Sequence, residues 1–158
     1  MSRKYLSMSA DETNRYKAAA SIMEAPPSGP RLLIVDDQDD MRRIMTELLG
    51  DTFHIIGTAE DGKRAIELAT SLSPDVVVLD ICMPVLNGIE AAEQLRKCCN
   101  PSKVVFLSMQ DAPEFVEAAL ATGALGYVLK SSVGTDLVSA IWQAIEGRPF
   151  VSPALCWH

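Results

Sequence analysis

Chemically reactive side chains follow four apolar runs of this sequence. Asp36 and Asp37 come directly after LLIV, and Asp80 comes directly after VVVL. Ser108 follows VVFL, and Lys130 follows GYVL. Carboxylates that lie close together repel one another, which costs stability unless a positive charge lies among them. The sequence therefore predicts that a cation accompanies the aspartates.

Metal-assisted phosphoryl transfer is the chemistry that this combination of groups supports. Mg²⁺ takes oxygen ligands in octahedral geometry, usually one or two carboxylates together with phosphate oxygens. An aspartate carboxylate can act as a nucleophile and form an aspartyl phosphate. A serine hydroxyl and a lysine ammonium can then hold two phosphoryl oxygens. The segment DICMPVLNG, which contains Pro84 and Asn87-Gly88, predicts a turn that can bring a backbone carbonyl to the metal.

Five strands and five helices are predicted to alternate from Arg31 onward. The expected strands are RLLIV, FHIIGTA, VVVLD, KVVFLS and ALGYVLK. Apolar residues at helical spacing predict the helices between and after them. In chain order, these apolar sets are Met41, Ile44, Met45 and Leu48; Ala65, Leu68, Ala69 and Leu72; Ile89, Ala92 and Leu95; Phe115, Val116, Ala119 and Leu120; and Leu137, Ile141, Ala144 and Ile145.

The strands are continuously apolar, which is typical of strands buried on both faces. We therefore predict an α/β fold with a doubly wound, five-stranded parallel sheet and helices on both faces. Ligands of such sheets bind outside the carboxyl ends of the strands. The carboxylates, the hydroxyl and the ammonium are all predicted to meet at that edge.

Each of these polar residues also has an ordinary structural explanation. A single aspartate at a strand end is usually a helix N-cap or a solvated loop residue. We interpret Asp39 and Asp40 in this way, since they should open the first helix, where the helix dipole favours anions. For Lys130 alone, a surface position would be the default. Four strand ends that all carry useful groups are harder to obtain by chance, which favours a site.

The charge, the apolar stretches and the cysteine spacing of the 158-residue chain argue against several classes of protein. Its net charge of −7 argues against direct nucleic-acid binding, which requires a basic surface. It contains neither a signal peptide nor an apolar stretch near the ~18 residues of a membrane span. The cysteines form no C-x-x-C pair, so we expect no zinc site and instead free, buried thiols in a reducing cytoplasm.

Residues 1–30 differ from the rest and are predicted to be a mobile N-terminal extension and linker. APPSGP is a linker-like segment. Ser9 and Glu12 could form a capping box for a short helix, which would be marginally stable alone. We place the main domain at residues 31–147 and a C-terminal tail, or the start of a linker, at residues 148–158.

Four segments of the sequence resemble the response-regulator receiver domain of two-component signalling: IVDDQDDMRRI, VVVLDICMPVLNGIEA, VVFLSMQ and GALGYVLK. The resemblance covers about residues 31–146. The Asp-Asp pair combined with D-x-x-M-P-x-x-x-G, a strand-end Ser and a strand-end Lys makes it specific. It implies the flavodoxin-like strand order 2-1-3-4-5.

The resemblance implies a role for each residue at the predicted edge. Asp80 would be the phosphoacceptor. Asp37 would bind Mg²⁺ directly, Asp36 would assist through water, and the backbone carbonyl of Cys82 would be a further ligand.

The remaining roles concern the phosphoryl group and the switch. Ser108 and Lys130 would contact the phosphoryl group, and Ser108 would move toward it. Tyr127 would rotate inward on activation; the alternative is a half-buried sheet residue with no such role. Cys82 and Gln110 would occupy positions that tune how fast the phosphoryl group is lost.

By this resemblance the protein is a phosphorylation-dependent switch in the cytoplasm, and not a turnover enzyme. A histidine kinase or phosphotransfer protein would donate the phosphoryl group, and the surface of helix 4, strand 5 and helix 5 would change. Homodimerisation on phosphorylation is a further expectation.

The ending AIEGRPFVSPAL resembles the nitrate-response subfamily, whose members continue into a helix-turn-helix DNA-binding domain. We therefore expect either a fragment of a transcriptional regulator or a natural stand-alone receiver. A haloacid-dehalogenase-like phosphatase is a rival, but it needs a second Asp as acid/base where this chain has Cys82. The complete residue set argues against a degenerate receiver that only binds.

Overall fold

Strands and helices alternate along residues 29–98 and 100–155, the part of the chain that the computed structural model describes. The elements in chain order are β1 Arg31–Val35, α1 Asp39–Leu49, β2 His54–Ala59, α2 Gly62–Leu72, β3 Val76–Asp80, α3 Gly88–Lys97, β4 Lys103–Ser108, α4 Pro113–Ala121, β5 Gly126–Leu129, α5 Val133–Ile145 and β6 Phe150–Val151. Single 3₁₀ turns cover Lys130–Ser132 and Pro153–Leu155. None of the helices in these ranges has both the length and the apolar character needed to cross a bilayer.

The strands form one parallel sheet in the order β2-β1-β3-β4-β5-β6. The predicted α/β fold and the predicted order of the first five strands are thus confirmed. The register sets Asp80 beside Leu107 and Ser108 beside Leu129. The carboxyl ends of the four inner strands therefore share one edge, as ligand-binding sheets of this kind require.

Helices cover both faces of the sheet, as predicted. On one face α1 and α5 contribute Met45, Leu49 and Ile141 to a buried cluster. On the other face α2, α3 and α4 contribute a second cluster that includes Leu95 and Val116. Because alternate residues of each inner strand enter one cluster or the other, an unbroken apolar run is what these strands need.

The sheet has a sixth strand that the sequence did not predict. The two residues of β6 lie opposite Gly126 and Tyr127 of β5, within the segment that we assigned to a tail. A two-residue strand between Pro149 and Pro153 is too short to produce a strand pattern. Gly147, with φ of 77°, turns the chain after α5, in a conformation that costs glycine little.

Two smaller expectations differ from the structure. Ile44 of α1 is 46% exposed, because only part of the apolar stripe of that helix faces the sheet. Cys82 and Cys98 are free as expected but exposed and not buried. Cys99 and Cys156 lie outside the described residues, and so does the helix expected near Ser9.

Candidate functional site

Three aspartates come together at the carboxyl edge of the sheet. Asp36 and Asp37 follow β1, and Asp80 is the last residue of β3. One carboxylate oxygen of each lies within 4.8 Å of the others. Asp36 and Asp80 are buried, whereas Asp37 is exposed. Residues from two strands therefore form a single acidic cluster, open to solvent at Asp37.

Lys130 supplies a positive charge to this cluster. Its Nζ lies 2.9 Å from Asp36 Oδ2 and 3.2 Å from Asp80 Oδ2, and only 9% of its side chain is exposed. Burial by itself would lower the pKa of Lys130, but the hydrogen bond to Asp36 and the negative charge of Asp80 raise it above the ordinary value. Lys130 is therefore held as a cation between two carboxylates.

The carboxylate of Asp80 is strongly affected by its surroundings. Burial, followed by the negative charge of Asp36, raises the pKa of Asp80 from 3.8 to about 6, although Lys130 opposes the shift. A nearby divalent cation would favour the ionised form, which is the nucleophilic one. The environment of Asp80 is thus suited to a carboxylate that gains reactivity when a metal ion is present.

The close approach of α3 to the end of β3 explains why the segment D-x-x-M-P-x-x-x-G ends in glycine. The Gly88 N–H donates to the Ile81 carbonyl at 2.8 Å, and a Cβ on Gly88 would lie 2.0 Å from the Asp80 carbonyl oxygen. Asn87 caps α3 by accepting from the Glu90 N–H at 2.9 Å. The helix can therefore start directly against the backbone of Asp80 only because position 88 has no side chain.

A cavity of about 200 Å³ lies at this edge. It is lined by Asp37, Gln38, Asp80, Cys82, Ser108, Met109, Gln110 and Lys130. A water molecule occupies about 30 Å³ in the liquid, so the cavity has room for several atoms of that size. A phosphoryl group therefore fits there. A larger cavity, of about 400 Å³, lies at the opposite edge, between the end of α3 and the residues that follow α4, and has no carboxylate in its lining.

The end of β4 places a hydroxyl in the same cavity. Ser108 is 1% exposed, and its Oγ accepts from the Gln110 N–H at 3.0 Å. The Gln110 side-chain amide donates to Cys82 Sγ at 3.9 Å. The loops after β3 and β4 therefore touch beside the cavity through the two positions that we expect to tune phosphate loss.

Tyr127 of β5 is joined to the same loop. Its side chain is fully buried, and its hydroxyl donates to the Gln110 carbonyl at 2.7 Å. Burial raises the pKa of Tyr127. The ring is thus completely inside, and not half-buried as the alternative interpretation required. Its role in switching stays a prediction.

The first turn of α1 holds the other two acidic residues. Asp39 and Asp40 begin α1 and pair with Arg42 and Arg43, which agrees with their interpretation as helix-opening residues. Arg42 also donates to the Asp36 backbone carbonyl at 2.5 Å. The sequence analysis did not predict the contact between Arg42 and the Asp36 carbonyl. The three-residue spacing from Asp39 to Arg42 is a signal only for the ion pair between those two side chains.

The donor set of the acidic cluster fits Mg²⁺. All the available side-chain donors are carboxylate oxygens, which this ion prefers, and it commonly uses one or two of them with phosphate oxygens and water. Asp36, Asp37 and Asp80 could hold such an ion. The carbonyl of Cys82 as a further ligand stays a prediction.

Comparison with known protein families shows which family the chain belongs to. Residues 32–142 match the family described as the response regulator receiver domain. The chain belongs to this family. Receiver domains are signalling switches of two-component systems that bind Mg²⁺ at an acidic site and interact with histidine kinases or phosphotransfer proteins.

Curated relatives support the nitrate-response subfamily. The chain is 36% identical over 126 residues to the nitrate/nitrite response regulator protein NarL of Escherichia coli strain K12, covering 78% of this chain and 58% of that protein. It is 34% identical over 131 residues to the probable transcriptional regulatory protein NarL of Mycobacterium tuberculosis strain H37Rv, covering 82% and 61%. The chain thus spans about three fifths of the length of these relatives.

Solved structures have the same fold as this receiver domain. The signal receiver domain of the putative response regulator NarL from Mycobacterium tuberculosis aligns with a TM-score of 0.74 at 34% identity, covering 77% of this chain and 100% of that one. A two-component response regulator of the LuxR family from Aurantimonas aligns with a TM-score of 0.77 at 32% identity, covering 81% and 93%. The predicted family, and the subfamily with it, are confirmed.

Proposed function

We propose that this receiver domain is a switch in which Asp80 accepts a phosphoryl group from a histidine kinase or phosphotransfer protein. The observation that carries the proposal is the meeting of Asp80, Asp37 and Lys130 at one cavity of about 200 Å³. Asp80 is nearly buried yet lines this cavity, so its carboxylate is accessible to a donor from one direction only.

The chemical step is a transfer between two nucleophiles. An Asp80 carboxylate oxygen attacks the phosphorus of the donor phosphohistidine, an O–P bond forms, and the P–N bond breaks as the histidine takes back its electron pair. The ammonium of Lys130 exchanges its contact with Asp80 for one with a phosphoryl oxygen. The Ser108 hydroxyl donates to another phosphoryl oxygen, which stabilises the charge that develops there.

Mg²⁺ is the proposed cofactor, and Asp37, Asp80 and the carbonyl of Cys82 would hold it, with Asp36 assisting through water. When bound, it supplies positive charge that keeps Asp80 ionised and offsets the negative charge of the phosphoryl oxygens.

Phosphorylation would change the surface formed by α4, β5 and α5. The phosphoryl group adds about −1.5 to −2 charges at the edge of the sheet. Ser108 and Tyr127 are the proposed switch residues, because both hydrogen-bond to Gln110 in the loop that leads into α4. A nearly complete switch requires about 5.5 kcal/mol of differential stabilisation.

We propose that the output is transcriptional. The relatives are named as regulators, and the chain spans about three fifths of their length. With a net charge of −7, this chain would not itself read DNA. A natural stand-alone receiver is the alternative. The proposed organisation is an extension at 1–30 and a receiver whose packed part runs from residue 31 to residue 155, because β6 pairs with β5 and Leu155 is buried. We also propose a cytoplasmic location and dimerisation on phosphorylation.

A haloacid-dehalogenase-like phosphatase is the enzymatic rival. Turnover of that kind needs an acid/base carboxylate two residues after the nucleophile. Cys82 occupies this position, which disfavours the phosphatase. The switch and the phosphatase differ in one measurable respect: a switch retains the phosphoryl group, whereas a phosphatase releases it.

The test is a time course of intact mass with acetyl phosphate and Mg²⁺. Wild type should gain the mass of one phosphoryl group and keep it for part of the time course. The Asp80→Asn variant, and wild type with excess EDTA, should gain none. Asp51→Asn is the matched control, since Asp51 is an exposed aspartate outside the site and its variant should be labelled like wild type. Continuous release of phosphate without a retained mass would overturn the switch in favour of the phosphatase.

A further inference from the structure

The segment of residues 150–155, which we call the C-terminal strap, lies along the edge of β5 that faces away from β4. The Phe150 N–H donates to the Leu125 carbonyl at 2.8 Å, and the Ser152 N–H donates to the Tyr127 carbonyl at 2.9 Å. Leu155 is 4% exposed and belongs to the same buried cluster as Tyr127. The strap is therefore part of the packed domain and directly contacts the strand that carries a proposed switch residue.

Ser152 makes the most distinctive contact of the strap. It is 1% exposed, and its Oγ accepts from the Leu129 N–H at 3.1 Å. Ser152 therefore binds β5 at two positions: its N–H donates to the Tyr127 carbonyl, and its hydroxyl accepts from the Leu129 N–H. A buried N–H that loses its hydrogen-bond partner is costly, so the end of β5 depends on this hydroxyl.

Both positions that Ser152 holds lead directly to the phosphoacceptor site. Leu129 precedes Lys130, whose ammonium contacts Asp80. Tyr127 donates to the Gln110 carbonyl, and the Gln110 N–H donates to Ser108. The strap is therefore connected to the cavity by two short routes through β5.

We propose that Ser152 is a positioning residue that couples the C-terminal strap to the phosphoacceptor site, so that the strap binds β5 more tightly when the site is phosphorylated. The inference rests on the proposed function of Asp80. Its direction combines the expectation that Tyr127 turns inward on activation with the structure, in which a fully buried Tyr127 and a bound strap occur together. The strap, bound or released, is the two-state element that such coupling requires.

Coupling of this kind is reciprocal. If phosphorylation tightens binding of the strap by a given factor, loosening the strap must weaken binding of a phosphoryl mimic by the same factor. Removal of the Ser152 hydroxyl should therefore be felt at the cavity, although Ser152 is absent from its lining. A residue that only stabilises the fold would show no such dependence.

The test measures amide hydrogen exchange by NMR in the whole chain, with and without Mg²⁺ and beryllofluoride, an acyl-phosphate mimic. In wild type, protection of the Phe150 and Ser152 amides should rise by about tenfold, a usual size for coupling between sites. In Ser152→Ala the rise should be lost, and the affinity for beryllofluoride should fall by about the same factor. Ser152→Thr, which keeps a hydroxyl, should retain both.

The control variant is Ser139→Ala, at an exposed serine of α5, which should behave like wild type. Strap amides that do not respond to beryllofluoride in a wild-type protein that acetyl phosphate labels would overturn this inference and leave the proposed function intact. Equal beryllofluoride affinities for wild type and a folded Ser152→Ala would also overturn it. A wild-type chain that neither reagent modifies would overturn both.

Discussion

The raised pKa of Asp80 implies that its ionised carboxylate lowers the stability of the metal-free protein at neutral pH. Its pKa is about 6 in the folded chain, against 3.8 for the ordinary carboxylate, so between these pH values the native state binds more protons than the unfolded state. The free energy of unfolding must then decrease as pH rises through this window. The burial that sets up the nucleophile therefore costs stability when the carboxylate is ionised.

Replacement of Asp80 by Asn should remove this cost. In EDTA at pH 7.5 the variant should be more stable than wild type by about 1–3 kcal/mol, and the advantage should shrink toward pH 4. Urea unfolding at pH 4, 5, 6 and 7.5 measures the difference. An advantage that stays constant over this range would show that the raised pKa is not its cause.

Asp37 is the exposed member of the acidic cluster, so its charge should matter more for Mg²⁺ than for the fold. Millimolar Mg²⁺ should raise the melting temperature of wild type, because a ligand of the native state stabilises it. In Asp37→Asn this rise should be lost, while the metal-free protein is equally or slightly more stable because repulsion within the cluster is relieved.

Asp40→Asn is the matched control for Asp37. Asp40 is exposed and acidic and lies three residues away, but it pairs with Arg43. A thermal shift with Mg²⁺ that Asp37→Asn retains, or that Asp40→Asn loses, would contradict the assignment of the metal site.

At the scale of elements, the start of α3 depends on one glycine. Gly88→Ala would place a Cβ 2.0 Å from the Asp80 carbonyl oxygen, so helix and strand must separate. We expect a loss of about 3 kcal/mol in the free energy of unfolding and slower labelling of Asp80, measured by urea unfolding and intact mass.

Gly134→Ala in α5 is the control, since nothing lies within 4 Å of the added Cβ. Alanine is the better helix former, so this variant should be unchanged or more stable by up to about 1 kcal/mol. Equal effects of the two substitutions would mean that the close approach at Gly88 is not what positions the site.

The inner strands were predictable because nearly all of their residues are buried. The strands that end at Asp80 and Ser108 are buried on both faces, which leaves a continuous apolar signal. The strand β6 was missed because its own two residues carry no strand pattern. It forms because one edge of β5 is available for pairing. The exposure of Ile44 was missed because spacing alone does not show how much of an apolar stripe a sheet can cover.

For the site, the positions of the polar residues were predictable because strand ends converge in a parallel sheet. The contacts of Gln110 with Ser108, Cys82 and Tyr127 were not. They depend on the path of a loop, for which the sequence carries no periodic signal. The contact of Ser152 with Leu129 escaped for the same reason, since it depends on an unpredicted strand.

At the scale of the whole molecule, residues 1–28 should be dispensable for phosphorylation. The structure describes a complete set of proposed site residues between Asp36 and Lys130. Deletion of residues 1–28 should therefore leave the rate of labelling by acetyl phosphate within about twofold of wild type, by intact mass. A tenfold loss of rate would show that the extension takes part in the reaction.

The central claim is that the phosphoryl group resides on the carboxylate of Asp80. The most direct measurement is to label the chain with acetyl phosphate and Mg²⁺, reduce the acyl phosphate with borohydride, and map the peptides by mass spectrometry. We predict homoserine at position 80 and unmodified Asp36 and Asp37. Homoserine at another aspartate, or a stable phosphate ester on Ser108, would contradict the account.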